Sequence, residues 1–167
     1  QQLKGKGGIA EEGGSAVLID VNNGDILAMC SVPDFDPNWF ATGISKAQYK
    51  EIFDNPDNPL LNKTISASYP AGSTLKPLVT LAALQEGVIN KHTSVYCEGK
   101  INYANRDYHC WKKEGHGIVN PYEAIKQSCN VFYYELAQHL SIEKLAYYAR
   151  LFGLDAKTNI DLPNELK

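Results

Sequence analysis

The sequence has no apolar stretch approaching the length of a membrane span, and no signal-peptide pattern opens it. If the parent protein is exported or anchored, that segment is expected to lie outside these residues. There is no basic surplus either. Sixteen Lys and Arg face nineteen Asp and Glu, a formal net charge of −3 that argues against nucleic acid as a partner. Four cysteines, Cys30, Cys97, Cys110 and Cys129, are too few for a disulfide scaffold. Internal repeats and low-complexity tracts are absent. What remains is a chain of 167 residues, 44% hydrophobic, with enough apolar material for one globular domain or most of one.

Glycines crowd residues 5–14, which reads as a linker, so the domain is expected over 15–167. "SAVLIDVNNGDILAMCS" predicts two strands joined at Asn23-Gly24, with Val17, Ile19 and Val21 on one face and Cys30 in the core. Pro33 and Pro37 lead out of the sheet, and residues 41–67 mix short helical patterns with the loop "DNPDNP". From Ser73, Leu75, Leu78, Val79, Ala82 and Ala83 recur at helical spacing, and Gly87 ends the run. Residues 88–118 read as a polar, irregular surface insertion. A second helix is expected from Pro121 through Ser128 and beyond, and a third over 141–152, closed by Gly153. Strands followed by helices predict a mixed α/β fold, a sheet with a helical subdomain.

"SYPAGSTLKPLVT" places Ser73 and Lys76 three positions apart at a helix start. A serine hydroxyl needs a base to become a nucleophile, and a lysine one turn away reaches the same face. That lysine must be partly neutral, which burial or positive potential favours. A helix N-terminus supplies such potential and N–H groups for a developing oxyanion. Spacing alone decides little, because Ser141 and Lys144 repeat it, and that pair reads as a helix N-cap and a solvated lysine. What separates the two is Ser128-Cys129-Asn130, the one S-x-N in the chain. S-x-x-K followed by S-x-N is the pattern of penicillin-binding proteins and class A β-lactamases.

"YPAGSTLKP" resembles the active-site serine segment of class B high-molecular-weight penicillin-binding proteins, and "AVLIDVNNGDILAMCSVPDFDPNWF" the hairpin that opens their transpeptidase domain. "NPLLNKTISASYPAGSTLKP", "WKKEGHG" and "IDLPNE" are similar to the elongation-type branch, the penicillin-binding proteins 2 of Gram-negative bacteria. The resemblance implies a β-lactamase/transpeptidase-like fold and a serine D,D-transpeptidase that cross-links peptidoglycan stem peptides and is acylated by β-lactams. Ser73 would be the nucleophile, Lys76 its general base, Ser128 the relay to the leaving amine, and Asn130 a hydrogen-bond partner of the substrate amide. It also implies the periplasmic face of the inner membrane and partners in the elongation machinery. The family completes its site with K-T-G or K-S-G. Lys63-Thr64-Ile65 and Lys157-Thr158-Asn159 do not match, so the chain is expected to be a piece ending before the last strands, inactive or very slow alone.

Cys97, Cys110, His116 and Cys129 make a set of the closed tetrahedral zinc kind, though not at zinc-finger spacing. The same family resemblance implies a zinc beside the active site. A Cys97–Cys110 disulfide or buried free thiols are the alternatives, and His109 is the spare imidazole. Two rival functions remain open. One is a β-lactamase or β-lactam sensor, against which the lack of E-x-x-x-N after the S-x-N counts. The other is a non-catalytic zinc-stabilised interaction module.

Overall fold

The computed structural model describes residues 13–166, so most of the expected 5–14 linker lies outside the described residues. The described residues group into two compact units, residues 13–69 with 157–166, and residues 70–156.

In the first unit, β1 (Gly14–Ile19) and β2 (Ile26–Val32) pair antiparallel, with Gly14 opposite Val32 and a register shift between Leu18 and Ile19. Gly14, expected in the linker, therefore belongs to the strand. The turn is not the two-residue type expected at Asn23-Gly24. The Asp20 N–H still bonds the Asp25 carbonyl, and Asp20 Oδ1 accepts the Asn22 N–H, a side-chain turn that needs positive φ only at Gly24. Val21 thus leaves the strand face and is 94% exposed. Cys30 is exposed, not core, because it lies on a two-stranded ribbon with no third strand among the described residues. Three short helices follow: α1 (Asn38–Thr42), α2 (Lys46–Phe53) and α3 (Lys63–Ser66). Ser45 and Gln48 close a capping box on α2, and Asn62 caps α3. Lys63 is buried and donates to the Asn58 carbonyl at 3.1 Å, which gives it a structural occupation.

The second unit carries the site. A single 3₁₀ turn (Gly72–Leu75) runs into α4 (Lys76–Gln85), so Ser73 stands one turn ahead of the α-helix proper. The cause is Pro77. It has no N–H to give the Ser73 carbonyl at i−4, and the Lys76 N–H takes that carbonyl at i−3 instead. Residues 88–118 are not an irregular insertion. They form β3 (Val95–Cys97), β4 (Lys100–Tyr103), β5 (Arg106–His109) and β6 (Gly117–Val119), paired β3 with β6 and β4 with β5. Ile89, Cys97 and Cys110 of this stretch, and Val119 at the end of β6, are buried in the core with Ala82 and Ala83 of α4.

The expected second helix is two, α5 (Pro121–Lys126) and α6 (Asn130–Ala137). Ser128 N–H bonds Ile125 O and Cys129 N–H bonds Ala124 O, the paired closure of a Schellman motif, and Ser128 takes the left-handed φ of +52°. The same closure ends α4 at Gly87 and α7 (Ile142–Leu151) at Gly153. Val131, Phe132 and Leu136 of α6 fill the core between these elements. Ser141 caps α7 through the Lys144 N–H, as expected, and the Lys144 ammonium reaches Glu86 at 2.8 Å.

Candidate active site and candidate metal centre

The break after α5 brings Ser128 to Ser73 across 55 positions of sequence: their hydroxyl oxygens lie 3.0 Å apart. Lys76 projects from the first turn of α4 to the same point. Its ammonium donates to Ser128 O at 2.9 Å, Ser128 Oγ at 3.0 Å and Asn130 Oδ1 at 2.7 Å. Three donors meet three acceptors, so Lys76 is fully engaged. No Lys76–Ser73 hydrogen bond exists among the described residues. Each side chain contacts the Ser128 hydroxyl instead, whereas their spacing suggested a direct pair. Asn130, first residue of α6, also turns its amide nitrogen toward His109 O at 3.5 Å.

Beneath Lys76 lies the ring of Tyr133, 5.2 Å from the ammonium, its hydroxyl 2.8 Å from that of Thr80, which in turn donates to the Lys76 carbonyl. Sequence reading missed both residues. Their positions, i+4 from Lys76 and i+3 from Asn130 on helices, were the available signal. Burial lowers the Lys76 pKa, opposed by any negative charge on Cys110 and Cys129. That shift is the one a lysine acting as base requires.

Ser128 is a serine where helix closure prefers glycine, at a cost of about 1–2 kcal/mol for a left-handed residue. Strain of this kind persists where the surroundings over-determine it. Ser128→Gly and Ser128→Ala both delete the hydroxyl, but only glycine relieves the backbone. The glycine variant should be more stable by about 1 kcal/mol in denaturant unfolding. If Ser128 relays protons, the two should be slowed alike.

Behind the Ser128 turn, Cys97, Cys110, His116 and Cys129 converge, with one ligand atom from each lying within 4.8 Å of all the others. His116 Nδ1 is 3.6 Å from Cys97 Sγ and 3.5 Å from Cys110 Sγ. A tetrahedral zinc with its usual bond lengths separates sulfur from nitrogen by roughly 3.6 Å, so these two distances and the Cys₃His donor set suit that ion. The protonation states favour it in part. Burial holds His116 below its ordinary pKa, assisted by the charges of Lys112 and Lys76, which favours neutral imidazole. Burial also opposes a Cys110 thiolate, yet hydrogen bonds from the backbone N–H groups of Asn130, Lys112 and Val131 and from the Cys97 side chain together outweigh it, and the pKa falls. Burial pushes Cys129 up to about 12, so that thiol ionises only with a cation beside it. All four cysteines are free, and the His109 side chain is not in the set.

Residues 14–167 match the family model described as penicillin binding protein transpeptidase domain. The chain is 39% identical over 167 residues to the peptidoglycan D,D-transpeptidase MrdA of Acinetobacter baumannii, covering 99% of this chain and 24% of that protein. It therefore spans about a quarter of the length of the curated relatives it matches. Its fold superposes on a penicillin-binding protein PBP2 from Helicobacter pylori, solved in complex with MreC, with a TM-score of 0.85 at 37% identity, covering 93% of this chain and 29% of that one. An imipenem acyl-enzyme of penicillin-binding protein A from M. tuberculosis matches with a TM-score of 0.74 at 31% identity, over 86% of this chain and 34% of that one.

Proposed function

The chain belongs to the penicillin-binding protein transpeptidase family, and from that premise we propose that it carries the nucleophile half of a serine D,D-transpeptidase acting on peptidoglycan stem peptides. The observation that carries this reading is the line of contacts Ser73–Ser128–Lys76, two steps of 3.0 Å each. With Lys76 neutral, Ser73 Oγ attacks the carbonyl carbon between two D-alanines. Its proton passes to Ser128 Oγ, and the Ser128 proton passes to Lys76 Nζ. The same relay run backwards protonates the leaving amine. The Asn130 oxygen is held by Lys76 and one amide hydrogen is turned toward His109 O, which leaves the second amide hydrogen for the substrate backbone. A β-lactam carbonyl entering the same position acylates Ser73, in keeping with the acyl-enzyme seen in the mycobacterial relative.

The relatives' names support a role in cell elongation with the elongation machinery as partner, as in the MreC complex of the Helicobacter protein; the periplasmic face of the inner membrane is the location that this role would require. The test is chemical. Penicillin treatment of the full-length protein, followed by peptide mapping, should place the adduct on Ser73. An adduct on Ser141, whose oxygen is occupied as a helix cap, would overturn the assignment.

Cys97, Cys110, His116 and Cys129 are the residues that would hold one structural zinc. When bound, it supplies a fixed cross-link between β3, the 110–116 loop and the start of α6, which orders Ser128 and Asn130 on either side of Cys129. Protein purified without chelator should contain one equivalent of zinc by elemental analysis. Stripping the metal should lower the melting temperature and expose three titratable thiols. A metal-free protein with a mapped Cys97–Cys110 disulfide would refute this.

A further inference from the structure

Two neighbouring residues hold the Ser128 turn at its two ends. On one side, the Asn130 N–H donates to Cys110 Sγ at 3.3 Å. On the other, the Trp111 indole N–H donates to the Gln127 carbonyl at 3.0 Å. We infer that Trp111 is a positioning residue, whose indole N–H keeps Ser128 in its left-handed conformation and so aims the Ser128 hydroxyl between Ser73 and Lys76. The inference rests on the reading of Ser128 as a proton relay.

Burial does not account for this tryptophan. Trp111 is 63% exposed, and its one aromatic contact among the described residues is with His116 in a T-shaped arrangement, 5.3 Å between ring centroids. What it does control is a single peptide plane. The plane between Gln127 and Ser128 has its oxygen held by Trp111 and its N–H held by Ile125 O at 3.1 Å. The next plane is held too, through the Cys129 N–H on Ala124 O and Lys76 on the Ser128 carbonyl, so with both planes fixed Ser128 cannot relax its strained φ of +52°. An L-residue gains by leaving that region unless its neighbours forbid it. Without the indole donor, the Gln127 carbonyl is free to turn to water, the plane swings, and the hydroxyl leaves the line between its two partners. The Ser73–Ser128 and Lys76–Ser128 contacts are both 3.0 Å, so a displacement of about 1 Å breaks the relay.

Trp111→Phe is the test, because it keeps an aromatic ring against His116, though a smaller one, and removes the donor. In the full-length protein, the acylation rate constant for a fluorescent penicillin should fall roughly ten- to a hundredfold. The pre-covalent binding constant and the fraction of protein finally labelled should stay unchanged. Amide exchange at Ser128 and Cys129 should quicken. Wild-type labelling with an unaltered rate constant in the variant would overturn the inference. So would a loss confined to the labelled fraction and the melting temperature, which is what a purely structural tryptophan gives. If the wild type itself takes no penicillin, the functional reading fails, and amide exchange then decides alone: quickened exchange at Ser128 upholds the positioning, unchanged exchange refutes it.

Discussion

With alanine at Ser73 no β-lactam adduct is expected, and with alanine at Lys76 acylation should slow by about 10²–10⁴-fold. The Lys76 effect is large because that side chain does two things in one place. It is the terminal proton acceptor of the relay, and its three hydrogen bonds fix Ser128 and Asn130 with respect to each other. Residues that act as one unit lose their effects together rather than in sequence. Adding Ser128→Ala to Lys76→Ala should therefore cost little beyond the single change. Stopped-flow acylation of the three variants measures this directly. Two losses that multiply would mean that Ser73 is activated by Lys76 without passing through Ser128.

The largest loss of stability is expected from Gly115→Ala, beside His116 and with no side chain of its own in the catalytic contacts. Gly115 has a φ of +78°, and a Cβ there would stand 2.1 Å from the Cys97 carbonyl oxygen and 2.7 Å from the Glu98 carbonyl carbon. Both obstacles are backbone, which cannot swing aside as a side-chain tip can. Gly99 is its counterpart, with a φ of +102° and a Cβ that would meet the Lys113 oxygen at 2.0 Å. The two glycines let the segments around Cys97 and Lys113 cross with their main chains touching, and that crossing sets Cys97 beside Cys110 and His116. Left-handed strain and the clash together should cost about 3–5 kcal/mol. In a chain of this size that corresponds to a melting temperature lower by about 10 °C or more. The donor set should be lost with it, seen as a fall in bound metal. A variant that melts like the parent and keeps its metal would show that the crossing is not needed.

Side chains with a local rule behind them were legible in the sequence. Gly87 and Gly153 end helices in the structure as they do on paper, because a left-handed residue after a helix is cheapest as glycine. Ser141 caps α7 because an oxygen there meets a free N–H. The grouping of Ser73 and Lys76 with Ser128 and Asn130, and of Cys97 and Cys110 with His116 and Cys129, was also readable, through motif order and ligand type rather than through any local rule.

Tertiary contacts decided the rest. Ser128 ends α5 by the same two hydrogen bonds as the glycines, but no propensity marks a serine for that place; the hold of Trp111, Ile125, Ser73 and Lys76 keeps it there. The β4–β5 hairpin went unseen for a related reason. Its turn places Ala104 and Asn105 at φ of +50° and +61°, where Asn-Gly would have announced it. Cys30 was assigned to a core because a strand cysteine is usually buried, whereas burial depends on what covers the strand. The Ser128 bridge between Ser73 and Lys76 was likewise out of reach. Spacing along one helix says that two side chains share a face, but which of them the third residue separates is settled by a segment fifty positions away.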